Sequence, residues 1–125
     1  EKHGEEIEYY PPRRGKEPAP KLSLGWVQGK IQGLVKTWYP NGRQESKREM
    51  SDNKKNGWLT AWYEDGAIMM IEEYDAEILK KGSYFKKGEK SPVSEIKGGK
   101  GIATIFDSQG NYMKKIHYEQ GSPKE

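Results

Sequence analysis

A chain of 125 residues with 22 Lys+Arg against 19 Asp+Glu carries a formal charge of +3, which permits an acidic partner without requiring one. Only 32% of it is hydrophobic and 33% is charged, at a mean hydropathy of −1.10, a supply that suits a thin structure better than a deep spherical core. Zero cysteines exclude disulfides and thiolate metal sites, and no apolar run approaches the ~20 residues that a membrane-spanning helix needs.

The length predicts one domain. No signal peptide is visible. A chain that starts at Glu1 without Met is compatible with a trimmed fragment that has lost an export signal, so the compartment stays open.

From the N-terminus, Gly4, Tyr9 and Tyr10 begin a pattern that the Pro-rich stretch 11–20 interrupts. The full pattern follows in "GLVKTWYPNGRQES" from Gly33 and again in "GWLTAWYEDGAIMM" from Gly57. An opening Gly is followed by an aromatic pair, Trp38-Tyr39 or Trp62-Tyr63, and then by Asn41-Gly42 or Asp65-Gly66. Gly82 opens a shortened copy, "GSYFKKG", and Gly101 a final one with Phe106, Asp107 and Gly110. The openings at 4, 33, 57, 82 and 101 give a period near 24 with insertions and deletions at the joints. The units are 4–32, 33–56, 57–81, 82–100 and 101–125. Met50, Tyr74 and Tyr118 each stand seventeen residues after their opening Gly.

Each unit reads as a β-hairpin. "LVKTWY", "WLTAWY" and "IATIF" are aromatic and β-branched, and Asn-Gly or Asp-Gly predicts a two-residue type I′ turn with both residues at positive φ. The opening glycines Gly33, Gly57, Gly82 and Gly101 are expected in the tight turns between units. No segment of ten residues carries a helical period. Alternation places Trp38, Trp62 and Phe106 on one face with Leu34, Trp58 and Ile102. Tyr39 and Tyr63 fall on the other, with Val35, Leu59, Ala61 and Ile105. The expected fold is all-β: a single-layer antiparallel meander of tandem hairpins in which each unit contacts mainly its neighbours.

With those residues in view, the chain from Trp26 to Gly121 resembles the MORN-repeat variant of the bacterial YwqK-type antitoxin family. The marks are the opening Gly, the aromatic pair, the Asn/Asp-Gly turn and the "Tyr…Gly-Lys…Gly" joint. The resemblance implies a β-meander used as a binding or scaffold surface, and the antitoxin label implies capture of a partner toxin protein. The chain departs from the pattern at "GSYFKKGEKSPVSEIKGGK" and in the Pro-rich insert.

Little in the sequence points to catalysis. His3 and His117 lie far apart, and His117 stands at a strand position equivalent to Glu49 and Glu73. "KGGKGIAT" fails the phosphate-loop pattern, because Gly101 follows Lys100 where Ser or Thr is needed. Glu72 and Glu73 point to opposite faces of a strand, so they make a poor acid–base pair. We read no enzyme and no cofactor or metal site.

Two surfaces are candidates for binding. Trp38, Tyr39, Trp62, Tyr63 and Phe106 form a candidate protein-binding strip, since Trp and Tyr anchor interfaces. Lys80, Lys81, Lys86, Lys87, Lys90, Lys97, Lys100, Lys114 and Lys115 stand against Glu89, Glu95 and Asp107, a local balance of +6. They form a candidate patch for an anionic membrane or an acidic protein. Nucleic acid ranks last, because Arg is scarce in the patch and bidentate Arg dominates base readout. The leading expectation is a non-enzymatic repeat protein that binds another protein as an antitoxin-like neutraliser or scaffold. The alternatives are attachment to anionic lipid through the lysine-rich half, or a structural spacer of a longer chain.

Overall fold

Aromatic and β-branched segments separated by turn residues form strands throughout residues 1–124, which the computed structural model describes. Glu125, the last residue of the fifth unit, lies outside them. The strands are β1 (Gly4–Tyr9), β2 (Pro20–Val27), β3 (Lys30–Ile31), β4 (Gly33–Trp38), β5 (Gln44–Ser51), β6 (Lys54–Trp62), β7 (Ile68–Asp75), β8 (Ile78–Tyr84), β9 (Ser94–Lys97), β10 (Lys100–Phe106), β11 (Tyr112–Glu119) and β12 (Ser122–Pro123). No helix occurs among the described residues. All twelve strands join one open antiparallel sheet in chain order, except that β3 pairs only with β2. The expected meander of hairpins is the observed fold.

Two turn types alternate along it, and they reverse the expected assignment. Gly42 N–H donates to the Tyr39 carbonyl and Tyr39 N–H donates to Arg43, which closes a three-residue loop. Gly42, Gly66 and Gly110 take positive φ, whereas Asn41, Asp65 and Gln109 do not. These are type I turns followed by a left-handed glycine, with Pro40 presetting the first central residue. The two-residue type I′ turns lie at the joints instead, where both residues have positive φ: Gln28-Gly29, Asp52-Asn53, Ala76-Glu77, Gly98-Gly99 and Gln120-Gly121. Gly33, Gly57, Gly82 and Gly101 are not turn residues; each belongs to a strand.

A bulge repeats with the sequence. Pairing slips by one residue just before Tyr9, Trp38, Trp62 and Phe106, leaving Lys21, Glu45, Met69 and Met113 as the extra residues. Each bulge lies opposite the first aromatic of its unit, where it locally bends the strand and adds twist. The Pro-rich insert therefore does not abolish the first unit. Tyr10 N–H still closes onto the Ala19 carbonyl, and β1 and β2 pair as a full hairpin.

The second aromatic of each pair then crosses to the next unit. The Tyr10 hydroxyl donates to the Trp38 carbonyl at 2.5 Å, Tyr39 to Trp62 at 2.6 Å and Tyr63 to Phe85 at 2.5 Å. Asp107 replaces the tyrosine in the last unit and accepts its own turn's N–H groups from Gln109 and Asn111.

The sheet curls. β6 and β10 are four strand spacings apart, about 19 Å if flat. Yet the Tyr63 and Phe106 rings meet edge to face at 6.4 Å, and Glu64 N–H donates to the Ser108 carbonyl. The enclosed face holds Tyr74, Leu79, Tyr84, Ile96 and Ala103, packed by Leu59, Met70 and Ile116. Full burial of a large side chain such as Tyr84 or Leu79 stabilises by roughly 1.5–3 kcal/mol.

Candidate functional site

Strand alternation, bulge and curl together decide which predicted binding residues reach solvent. Tyr39 is only 6% exposed and Tyr63 is 0% exposed. Both hydroxyls are already spent on the next unit, so these two residues fasten units together and present no strip. Burial first, then nearby carboxylates, push both phenols up to about 12.

Trp38, Trp62 and Phe106 remain half-buried. Trp62 and Phe106 meet at an open groove of about 400 Å³ that also borders Thr37, Tyr39, Ser46 and Arg48. Trp38 is not among its lining residues. Glu45 and Met69, the bulge residues of two successive units, lie on the groove wall. Neither Glu45 nor Arg48 is in an ion pair among the described residues. The Thr37 and Ser46 hydroxyls share a 2.5 Å hydrogen bond. The groove thus offers aromatic rings, hydroxyls, one carboxylate and one guanidinium. Its lining mixes apolar and charged side chains.

The nine lysines are all exposed, but they divide into three groups. Lys81 pairs directly with Lys97 across β8–β9, and Lys97 with Lys100 across β9–β10, so three ammonium groups lie in one transverse row. Lys80 precedes that row at a bulge. Like charges opposite one another are unfavourable, and Glu73, opposite Lys81, is the one acid paired with the row. Lys86, Lys87 and Lys90 belong to the loop after β8, where Lys87 approaches Asp65 at 4.0 Å. Lys114 and Lys115 lie on β11, facing Ile105 and Thr104 on β10.

The histidines stay apart. His3 accepts a hydrogen bond from Gln28 N–H, and His117 stands opposite Ile102. No metal-holding group of His, Asp or Glu occurs among the described residues.

Two features escaped sequence reasoning. Glu72 is buried and accepts hydrogen bonds from the Tyr74 hydroxyl at 2.9 Å and from the Tyr84 hydroxyl. Burial first and the Glu72 charge second drive both phenols well above the ordinary tyrosine range. The signal was present in Met70, Glu72 and Tyr74, one acid inside an apolar alternation. The second feature is on the outer face, where Leu34 (44% exposed) and Trp58 (50%) remain open to solvent. No helix is long and apolar enough to cross a membrane among the described residues. Comparison of the chain with protein-family models, with curated proteins and with solved structures gives no match in any of the three.

Proposed function

We propose that the chain is a non-enzymatic, MORN-like hairpin-repeat protein that holds a partner protein in the groove of Trp62 and Phe106, in the manner of an antitoxin-like neutraliser or scaffold. The observation that carries this reading is one open groove that combines two half-buried aromatics with a carboxylate and a guanidinium that form no ion pair among the described residues. The repeat of Gly, aromatic pair and glycine turn supports the MORN-like assignment. Affinity capture from the native cell tests it. The wild-type chain recovers one protein at stoichiometric level, and Trp62→Ala or Arg48→Glu loses it while far-UV circular dichroism is unchanged. If no such protein is captured, or if capture survives both substitutions, the proposal fails.

A second reading rests on the Lys81–Lys97–Lys100 row, which gathers positive charge that a protein interior would not tolerate. Such a row suits an anionic lipid surface, where each nearby Lys contributes about 1 kcal/mol. Co-sedimentation with phosphatidylserine vesicles, lost in neutral vesicles and weakened by Lys97→Glu, is the expected result. Equal binding to both vesicle types rejects it.

A further inference from the structure

The two edges of the sheet are built to meet each other. Among the described residues β1 pairs only with β2, which leaves its outer edge open, and it carries Glu5, Glu6 and Glu8. At the other edge β12 covers only Tyr118 and Glu119 of β11. Lys124 N–H caps the His117 carbonyl. On the side away from β10, Tyr112–Ile116 has no strand beside it among the described residues, and it carries Lys114 and Lys115. One edge is acidic and the other basic.

Repeat position sharpens the match. Inside the sheet, the second strand of one unit pairs with the first strand of the next, as β5 does with β6. The successor of β11, β12, reaches only Tyr118 and Glu119, and among the described residues no strand pairs with β1 on the side away from β2. Ser46 stands thirteen residues after Gly33, as Lys114 does after Gly101; Ala61 stands four after Gly57, as Glu8 does after Gly4. Ser46 pairs with Ala61, Lys47 with Thr60 and Arg48 with Leu59. Carried to a contact between two copies, that register sets Lys114 opposite Glu8, Lys115 opposite Ile7 and Ile116 opposite Glu6.

We propose that β11 of one copy of this chain adds antiparallel to β1 of a second copy, in the β5–β6 register, giving head-to-tail association. Lysines on a free edge ordinarily block pairing between sheets. Here they block β11 against β11, and the glutamates block β1 against β1, while the mixed contact is attractive. The contact is heterologous, so it propagates unless the rotation closes a ring. No residue of β1 or β11 lines the groove of Trp62 and Phe106.

Sedimentation velocity at low salt tests the proposal. The wild-type mass average should rise with concentration past the dimer, and added salt should lower it. Glu8→Lys alone, or Lys114→Glu alone, should weaken association about tenfold. An equimolar mixture of the two variants should recover it, because each reversed edge then meets its complement. The chain has no cysteine, so Glu8→Cys mixed with Lys114→Cys adds a register check. Paired antiparallel residues lie about 4.5–5.5 Å apart, within disulfide reach. Oxidation should cross-link the two variants to each other in preference to either with itself. A wild-type chain that stays monomeric up to about 1 mM overturns the proposal. So does a mixture that fails to recover association, or cross-linking dominated by self-pairs.

Discussion

The Tyr63 hydroxyl donates to the Phe85 carbonyl at 2.5 Å across twenty-two residues, from a side chain that is 0% exposed. Tyr39 makes the same bond to Trp62 and Tyr10 to Trp38. The sheet is therefore joined twice at each of these steps, by the backbone ladder between strands and by a phenol that reaches one unit ahead. In a chain with so little apolar surface, this second link makes neighbouring hairpins cooperative.

Removing the Tyr63 hydroxyl tests that link. Tyr63→Phe keeps the ring and the edge contact with Phe106 but leaves the Phe85 carbonyl without its donor. A buried unsatisfied acceptor costs about 1–3 kcal/mol. Tyr10→Phe should cost less, because Tyr10 is only half-buried and water can replace the phenol. Urea midpoints of the two variants should separate in that order. Equal losses would show that the bonds do not differ by burial.

Alkaline titration gives an independent readout. The phenols of Tyr39 and Tyr63 are held up to about 12 in the folded chain, against about 10 when unfolded. Above pH 10 the unfolded chain releases these protons first, so the folded state binds more protons and stability falls as pH rises. The loss should begin near pH 10 and continue to about 12. Unfolding midpoints measured from pH 8 to 12 should trace it, and Tyr39→Phe should flatten the slope.

Much of the fold was legible. Val35, Tyr39, Leu59 and Tyr63 share the enclosed face, as period-two alternation from a repeated register predicts. The turn types were not read correctly, because Asn-Gly serves both a type I′ pair and a type I turn with a left-handed glycine. Pro40 favours the first central position of a type I turn, but Glu64 and Ser108 occupy that position in the other two units, so no shared residue separated the two turns. The bulges before Trp38, Trp62 and Phe106 carry no residue signature, so the site was misjudged with them. Alternation put Tyr39 and Tyr63 on a face, but only the curl of the sheet showed that face to be closed. Glu72 lies buried on that same face, where the sequence marks it as one acid between Met70 and Tyr74.

Gly57 and Gly33 open equivalent units and should respond differently to Ala. Both hold positive φ, +110° and +86°. A Cβ on Gly57 would lie 1.7 Å from Glu49 Oε2, the same oxygen that accepts the Trp58 N–H. A Cβ on Gly33 meets open space. Gly33→Ala should cost only backbone strain, about 1–2 kcal/mol, and Gly57→Ala should cost about 2–4 kcal/mol. Glu49→Ala in the Gly57→Ala background should return the difference and leave the strain. Chemical denaturation of the wild type, Gly57→Ala, Glu49→Ala and the double variant supplies the cycle, and additivity of the two substitutions would reject the clash.

Ala76 marks a place where the chain can be improved. Its φ is +47° and that of Glu77 is +75°, whereas the equivalent joint carries Asp52 and Asn53. Asn tolerates the left-handed region because its short amide bonds locally, and alanine lacks that option. Glu77 itself is well used. Its N–H donates to the Lys55 carbonyl and its carboxylate accepts the Lys55 N–H at 2.7 Å, as Asn53 does with Ile31. The substitution belongs at position 76 alone. Ala76→Asn should stabilise by about 0.5–1 kcal/mol and raise Tm by about 2–4 °C. Ala76→Pro, which forbids positive φ and removes the N–H now given to Asn56, should instead lower Tm sharply. A calorimetric scan that finds Ala76→Asn at or below the wild-type Tm would show that the joint's backbone carries no strain to release.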